Sequence, residues 1–419
     1  MPLPQVLILV ETSKAYGRGM LAGIGRYALA HGPWSIFFEE RSLFDRLPHW
    51  FAQWRGDGII VRGNSPAMVR TLMTKGVPVI ETDGRITGFG LPLVYVDNAA
   101  VARAAAEHFA ERGLTAQAYV DLSLQRWSRL RLAAYQAELA RRGLPAPHVY
   151  RTPPRLLRAD WQRQRARLVA WIQRLPKPVG LFAENDVTGL RVLDACRLIN
   201  VPVPEQIAVL GVDNDPVLCD LATPRLSSVD LNVERMGYES AALLDQLMQA
   251  RAAGGQRAVA ARLRQLRAAH PPHPGPRPPD ERVPPALEIL VESPGVALRQ
   301  STDVLATDDP DVADAARYIR ERACTGIAVK DLVAELPLSR RVLERRFRAA
   351  LGRSPKDEIM RVKMTRAKEL LAGTDLSLAA IAAQTGFSSL NYLSNAFSRE
   401  TGISPRAYRA KHTPRGARG

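Results

Sequence analysis

Two stretches near the C-terminus, fifty residues apart, carry the same pattern. Phe347, Gly352 and Pro355 recur as Phe397, Gly402 and Pro405. Upstream, Leu332, Ala334, Leu338 and Ser339 recur as Ile381, Ala383, Phe387 and Ser388, one residue closer. Each copy reads as a short helix, a tight turn (336–339 and 385–388) and a second helix. The serine closing the turn is a good cap, because its hydroxyl can accept from an unpaired first-turn amide. Ala334 and Ala383 leave room for close helix contact, and Leu343, Phe347, Leu393 and Phe397 lock each pair. The change of offset places one extra residue inside the later helix of the second copy. A repeat of this kind confines residues 310–412 to an all-helical fold, with a long helix of about 356–372 joining the copies.

A helix-turn-helix presents the first turn of its second helix to the major groove. In copy one the outward residues there are Arg340, Arg341, Glu344 and Arg345; in copy two they are Ser388, Ser389, Asn391 and Asn395. Arginine can grip guanine with two bonds and asparagine can grip adenine, so these residues suit base reading. Arg348, Lys356, Arg399 and Arg406 suit phosphate contact. Charge agrees with a polyanion partner. Of a net +16, residues 311–419 carry +10 and residues 251–283 carry +5, leaving the remainder close to neutral.

Residues 6 to about 231 have a different texture. Short apolar runs at 6–10, 34–38, 58–61, 77–82, 93–96, 118–122, 179–183 and 207–213 alternate with amphipathic helical stretches. Buried runs between helices argue for parallel sheet covered on both faces, in two lobes of about 1–112 and 114–231. The segment 251–285 then turns rich in Ala and Arg and ends AHPPHPGPRPPDERVPP. Its prolines cannot donate backbone hydrogen bonds and it offers little apolar surface, so it reads as a flexible insertion. Residues 286–303 look like closing strands.

The opening glycines raise a rival idea. Gly17, Gly19 and Gly23 follow a strand and precede a helix, and Glu39 lies near the distance expected of a ribose-binding acid. Six residues separate the strand from the first glycine, however, so the tight strand-to-helix turn of a dinucleotide site is missing. No Tyr-x-x-x-Lys or other proton-donating constellation accompanies it. The glycines read instead as allowing helix one to pack closely on the sheet, with Glu11, Lys14 and Tyr16 facing a cleft. Three scattered cysteines, Cys196, Cys219 and Cys324, argue against a disulfide scaffold and a metal site. With no apolar stretch near ~20 residues and no basic leader, a cytoplasmic protein without a membrane partner is expected.

Family resemblances sharpen both halves. LSRRVLERRFRAALGRSP and RAKELLAGTDLSLAAIAAQTGFSSLNYLSNAFSRETGISPRAYR make residues 304–412 resemble the AraC-type DNA-binding domain, with 413–419 a basic tail. Leu-Pro-Leu at the first turn departs from that family, which more often has Val-Gly-Val there. AENDVTGLRVLDACRLI, VDNAAVARAAAEHFAERG, GVDN and VALRQST make residues 4–250 and 286–303 resemble the LacI-type effector domain, which has the periplasmic sugar-binding fold. The order of the two is that of the xylose-operon regulators. The resemblance implies a ligand between the lobes, held by Asp186 and Asp213 at strand ends and by Arg131, with Ala134 where the family has glycine. Trp127 and Tyr16 are candidates for stacking on a sugar ring. Carboxylates suit paired hydroxyls and arginine donates in a fixed fork.

The expectation is therefore a two-lobed α/β effector domain followed by an all-α domain with two helix-turn-helix units. It has no catalytic role, cofactor or metal. Its partners are double-stranded promoter DNA, a small sugar, a second copy as a homodimer, and RNA polymerase if the output is activation. A nicotinamide-dependent oxidoreductase would explain the glycines alone. A sugar-transport protein would explain the lobes and leave the basic C-terminus unused.

Overall fold

The structure, a computed structural model, describes residues 3–39, 45–86, 88–154, 161–270, 285–303, 309–374 and 376–412. It divides into two compact units, 1–303 and 304–419. Residues 271–284 of the expected insertion, 304–308 and the basic tail 413–419 lie outside the described residues.

In the first unit the described strands form two six-stranded sheets. The first runs β11 (Glu288–Val291), β5 (Leu93–Val96), β4 (Val79–Glu81), β3 (Gly58–Val61), β1 (Gln5–Leu9), β2 (Ser35–Phe38), all parallel. The second runs β12 (Gly295–Ala297), β10 (Ser227–Asp230), β9 (Ile207–Val212), β8 (Val179–Ala183), β6 (Gln117–Asp121), β7 (His148–Arg151); only β12 is antiparallel. The central strands β3, β6, β8 and β9 are buried along their whole length, as expected of parallel strands covered on both faces. The edge strand β2 alternates half-buried and exposed residues.

The chain passes between lobes three times: after β5, after β10, and between β11 and β12. The segment 286–303 thus closes both sheets, one strand in each. At the second passage Asn232 takes a left-handed φ of 55°, and Ser293 Oγ donates to Asp230 O at 2.6 Å.

Helix α8 (Val233–Ala269) corrects two expectations. Residues 251–269, read as flexible insertion, are helical. Gly254 and Gly255 leave helical geometry, and Arg262 Nη2 donates to Gln246 Oε1 at 2.9 Å. A straight helix would separate residues sixteen apart by about 24 Å, so the chain doubles back at the glycine pair. Val259 is buried and Gln256 Nε2 donates to Gly76 O at 2.8 Å, which docks the returning helix on the first lobe. Alanine and arginine favour helix intrinsically, and one buried valine with two hydrogen bonds suffices to place it.

Of the opening glycines, Gly17 packs on the end of β1, where a Cβ would meet Glu11 O, as expected, whereas Gly19 and Gly23 face helix α8. A Cβ on Gly23 of α1 (Ala15–His31) would lie 1.9 Å from Glu234 O, and one on Gly237 would lie 2.1 Å from Met20 O. Each glycine lets the other helix's backbone approach, so Gly23 and Gly237 form a reciprocal seam.

The second unit contains α9 (Pro310–Arg322), α10 (Val329–Glu335), α11 (Arg340–Leu351), α12 (Pro355–Gly373), α13 (Leu378–Gln384), α14 (Leu390–Thr401) and α15 (Pro405–His412). It has two small cores. Val312, Ile319, Leu332, Leu343 and Phe347 gather in one, and Met364, Leu371, Ile381, Leu393 and Phe397 in the other. Helix α12 feeds Ile359 to the first and Met364 to the second.

The turn of the second copy differs from expectation. The cap of α14 is Ser389, whose Oγ accepts from Tyr392 N at 3.1 Å, whereas in α11 it is Ser339, accepting from Val342 N at 3.4 Å. The extra residue therefore sits in the turn, between Gln384 and Leu390, and not inside the helix. Gly386 makes the longer turn possible: it adopts φ 67°, and a side chain there would meet Cys324 O at 2.7 Å. In the first turn Leu336 remains extended, at φ −112° and ψ 143°, which suits the proline that follows. Ala334 and Ala383 are exposed; Val333 and Ala382 occupy the inner positions instead.

Candidate functional site

Parallel α/β sheets bind ligands beyond the carboxyl ends of their strands. In the first lobe those ends carry Glu11 after β1, Arg62 after β3, and Thr82 and Asp83 after β4. Arg62 is buried, with Nη1 3.1 Å from Glu11 Oε2 and Nε 3.2 Å from Asp83 Oδ2. It also lies 4.5 Å over the ring of Tyr16, whose hydroxyl donates to Thr82 O at 2.7 Å. Burial works to raise the Asp83 carboxyl, yet Arg62 and Arg85 hold it below its ordinary value. Beneath them Glu81 accepts from the amides of Gly63, Asp83 and Gly84, and burial pushes it up to about 7.

The second lobe answers with Asp213 after β9. It takes φ 111°, its carboxylate makes no hydrogen bond among the described residues, and burial raises its pKa to about 6. Arg131 of its own lobe and Arg62 and Lys14 of the other lobe work against that rise. An unengaged carboxylate thus stands within electrostatic reach of cations from both lobes.

Arg131 of α4 (Arg126–Arg141) is buried, its Nε donating to Asn98 Oδ1 at 3.2 Å and its Nη1 to Glu184 O. Its Nη2 has no hydrogen bond among the described residues. Trp127, half-buried one turn earlier, has the Arg131 guanidinium 5.2 Å from its ring centre. Glu184, behind Arg131, accepts from Leu122 N, Ser123 N and Ser123 Oγ, and burial raises it to about 7.

Asp186 stands one layer back. It is fully buried, with Oδ1 accepting from Ser228 Oγ at 2.6 Å and Oδ2 from Asp215 N at 2.8 Å. Cys219 Sγ donates to Oδ2 at 3.4 Å. Burial, then the nearby Asp213, pushes the Asp186 carboxyl up to about 8. The cap of helix α6 (Asp186–Leu198) is its neighbour Asn185, which accepts from Thr188 N at 2.8 Å. Asp186 is therefore the fastener of the Asp213–Asp215 loop.

The structure brings Tyr16, Trp127, Arg131 and Asp213 to facing strand ends, with Asp186 behind them. Sequence reasoning missed Arg62, Asp83 and Arg126, whose Nη1 donates to Gly84 O of the opposite lobe at 2.9 Å. Position after the apolar run Gly58–Val61 could have flagged Arg62; nothing in the sequence flags a donor to a backbone carbonyl.

On the second unit, Arg341 and Arg345 are exposed on α11 and carry no ion pair among the described residues. Arg340 is exposed too, but Nε pairs with Glu344 Oε1 at 2.9 Å, so these two occupy each other. Asn391 and Asn395 project from α14 with their amides unengaged among the described residues; Ser388 is exposed and Ser389 is the cap. Two features went unread. Tyr392 is exposed beside Asn391. Arg346 grips Asp309 through two 2.6 Å bonds and reaches Asp311 at 2.9 Å, fixing α11 against the start of α9.

Comparison with known proteins matches these parts. A family described as the XylR N-terminal domain matches residues 5–89, a periplasmic binding protein-like domain matches 106–267, and a helix-turn-helix domain matches 332–411. The xylose operon regulatory protein of Escherichia coli strain K12 is 30% identical over 418 residues, which cover 97% of this chain and 96% of that protein. Its counterpart in Haemophilus influenzae is 29% identical over 413 residues, covering 97% and 98%. A solved structure described as a xylose-binding transcription activator superposes with a TM-score of 0.73 at 28% identity, covering 99% of both chains. A LacI family transcriptional regulator from Mycobacterium smegmatis, at 17% identity and a TM-score of 0.52, covers 72% of this chain and shares the fold of the effector domain.

Proposed function

The chain belongs to the family of the xylose operon regulatory proteins and is a sugar-responsive DNA-binding transcription regulator, and we propose that its effector is xylose or a closely related sugar held between the two lobes. The observation that carries this is Asp213, a carboxylate without a hydrogen bond among the described residues, opposite Arg62 and Lys14 and beside Arg131. A neutral polyol fits such a place. Its hydroxyls donate to the Asp213 carboxylate and accept from the spare Arg131 Nη2, so paired charges are satisfied without a charged ligand. Tyr16 and Trp127, each with a guanidinium over its ring, are the aromatic side chains beside Asp213 and Arg131 offered to the apolar face of the sugar. Asp186 shapes the site by holding Asp215 N, and so the loop that bears Asp213.

Function follows from differential binding. A sugar that touches both lobes favours the arrangement in which both are in reach, and by linkage alters DNA affinity by the same factor that DNA alters sugar affinity. Arg341, Arg345, Asn391 and Asn395 are the readers, helped by Arg340, Glu344, Ser388 and Ser389. The regulator works in the cytoplasm as a homodimer on paired promoter sites. Contact with RNA polymerase is supported by the relative described as a transcription activator.

Titration calorimetry with D-xylose, L-arabinose, D-ribose and D-glucose tests the effector. Saturable binding of a pentose, weakened at least tenfold in Asp213→Asn, is expected. Binding of none of these sugars overturns the assignment, and so does equal affinity in the variant.

A further inference from the structure

The segment through which the effector domain leaves for the DNA-binding domain is tied, bond by bond, to the loop that bears Asp213. Asp213 and the next residue, Asn214, are both non-glycine residues in left-handed conformations, φ 111° and 50°. Two such residues in a row are costly and persist only where surrounding bonds dictate them. Asn214 makes three of them. Asn214 N donates to Ser228 Oγ at 3.0 Å, Asn214 Nδ2 to Asp230 Oδ2 at 3.0 Å, and Asn214 Oδ1 accepts from Arg299 Nη2 at 3.0 Å.

Arg299 makes three further connections. Its Nε donates to Asp220 Oδ1 at 3.2 Å, in helix α7 (Pro216–Leu221), and its Nη1 to Leu226 O at 3.2 Å. Its backbone amide donates to Ser227 Oγ at 2.8 Å, and Ser227 Oγ in turn donates to Arg299 O at 2.9 Å. One planar fork thus spans the ligand-facing loop, the helix after it and the strand entry beyond.

Residue 299 lies four positions before the end of the first unit at residue 303. Those positions are held as firmly. Ser301 Oγ donates to Val209 O at 2.6 Å, and Thr302 Oγ1 donates to Ser227 Oγ at 2.8 Å. Arg112 Nε donates to Thr302 O at 2.8 Å, and His108 Nε2 lies 2.7 Å from Thr302 Oγ1. The exit segment has no slack of its own, and a displacement of the Asp213–Asn214 loop reaches it through Arg299.

We propose that Arg299 is the positioning residue that couples the ligand-facing loop at Asp213–Asn214 to the segment entering the DNA-binding domain. The inference rests on the reading of Asp213 as a sugar contact. Arg299 itself touches neither sugar nor DNA in this scheme; it fixes their mutual dependence.

The test uses the full-length chain, D-xylose, and a duplex selected by the wild type from random sequence. Arg299→Lys keeps a cation near Asp220 but loses the fork. Its sugar affinity and its sugar-free DNA affinity are expected within about threefold of wild type, with a cooperative melt retained. The ratio of DNA affinities with and without xylose is expected to fall to less than a third of the wild-type ratio. An unchanged ratio overturns the proposal. A second readout needs no sugar: Arg299→Lys is expected to speed amide hydrogen exchange both at Asn214 and Asp215 and at Ser301. Faster exchange at only one of the two places, or at neither, overturns it as well. Failure of the wild type to bind xylose sinks the effector assignment while leaving the exchange experiment decisive for the relay.

Discussion

Arg126, at the start of α4 in the second lobe, donates across 2.9 Å to the carbonyl of Gly84 in the first lobe. If sugar binds between the lobes, as proposed, a direct bond between them biases the equilibrium on which binding acts. Arg126→Ala is expected to weaken sugar binding by about 0.5–1.5 kcal/mol, roughly two- to twelvefold, through loss of one hydrogen bond. Calorimetry measures it. Undiminished affinity would show that the sugar-bound form does without this bond.

Asp213 gives a pH signature. Its carboxyl is raised to about 6, burial outweighing Arg131, Arg62 and Lys14. A sugar accepted by the charged form binds with level affinity above neutrality and loses affinity as pH falls through about 6 toward 5. Asp213→Asn removes that dependence along with most of the affinity. A wild-type affinity independent of pH between 5 and 8 would remove Asp213 from the contact surface.

Asp186 gives a signature in stability, of the opposite sense to a salt-bridged acid. Its folded pKa is raised, to about 8, so the folded state holds a proton that the unfolded chain has already released near pH 4. Stability from this group therefore declines as pH rises from the unfolded value and ceases to decline above the folded one. Asp186→Asn has no proton to lose. Thermal melts of the two proteins between pH 5 and 9 are expected to show the wild type losing ground to the variant by about 1 kcal/mol per pH unit below pH 8. Parallel melting curves at every pH would contradict the raised carboxyl.

The two proposed reading helices are expected to divide their labour. Arg341→Ala is expected to relax sequence preference in one half of the protected site and Asn391→Ala in the other, each by about 1–3 kcal/mol. Footprinting with selected and scrambled duplexes separates this from phosphate contact, which weakens all sequences alike. Glu344→Ala releases Arg340 from its 2.9 Å pair and is expected to raise affinity for scrambled duplexes, most at low salt, and so to narrow the preference for the selected one.

Val259 tests the doubled-back helix. Val259→Ala is expected to lower unfolding stability by about 0.5–2 kcal/mol, as truncation of a buried aliphatic side chain does. A surface segment without docking would tolerate the change with no shift in melting temperature.

The buried strands and the tandem units were legible because each leaves a periodic trace: continuous apolar runs for β1, β3, β8 and β9, and recurrent Phe, Gly and Pro for the helical repeat. Residues 256–269 leave no such trace. Their single buried valine makes no periodicity, and the prolines that follow drew the whole segment into the wrong class. The cap of α14 was misplaced by one because Ser388 and Ser389 are chemically identical, and which one caps depends on the turn that Gly386 makes. Asp186 illustrates a harder limit. In Glu184-Asn185-Asp186 the three polar residues hold three different tasks: a buried acceptor, a helix cap and a loop fastener. Only the direction of each side chain separates them, and direction is a property of the folded backbone.

Because the two small cores of the second unit hang on α12, the number of residues in that helix acts as an angular gauge. Each added residue turns whatever is fastened downstream by about 100° and advances it by 1.5 Å. B-form DNA turns by about 35° per base pair, taking 10–10.5 pairs per revolution. One inserted residue would therefore swing the α13–α14 unit by about 100° about the α12 axis, roughly the angle that three base pairs span, while moving it only about 1.5 Å along that axis. If both units read one duplex, as proposed, the length of one helix sets their mutual angle, and a change of that length would re-aim one reader without altering any residue that touches a base.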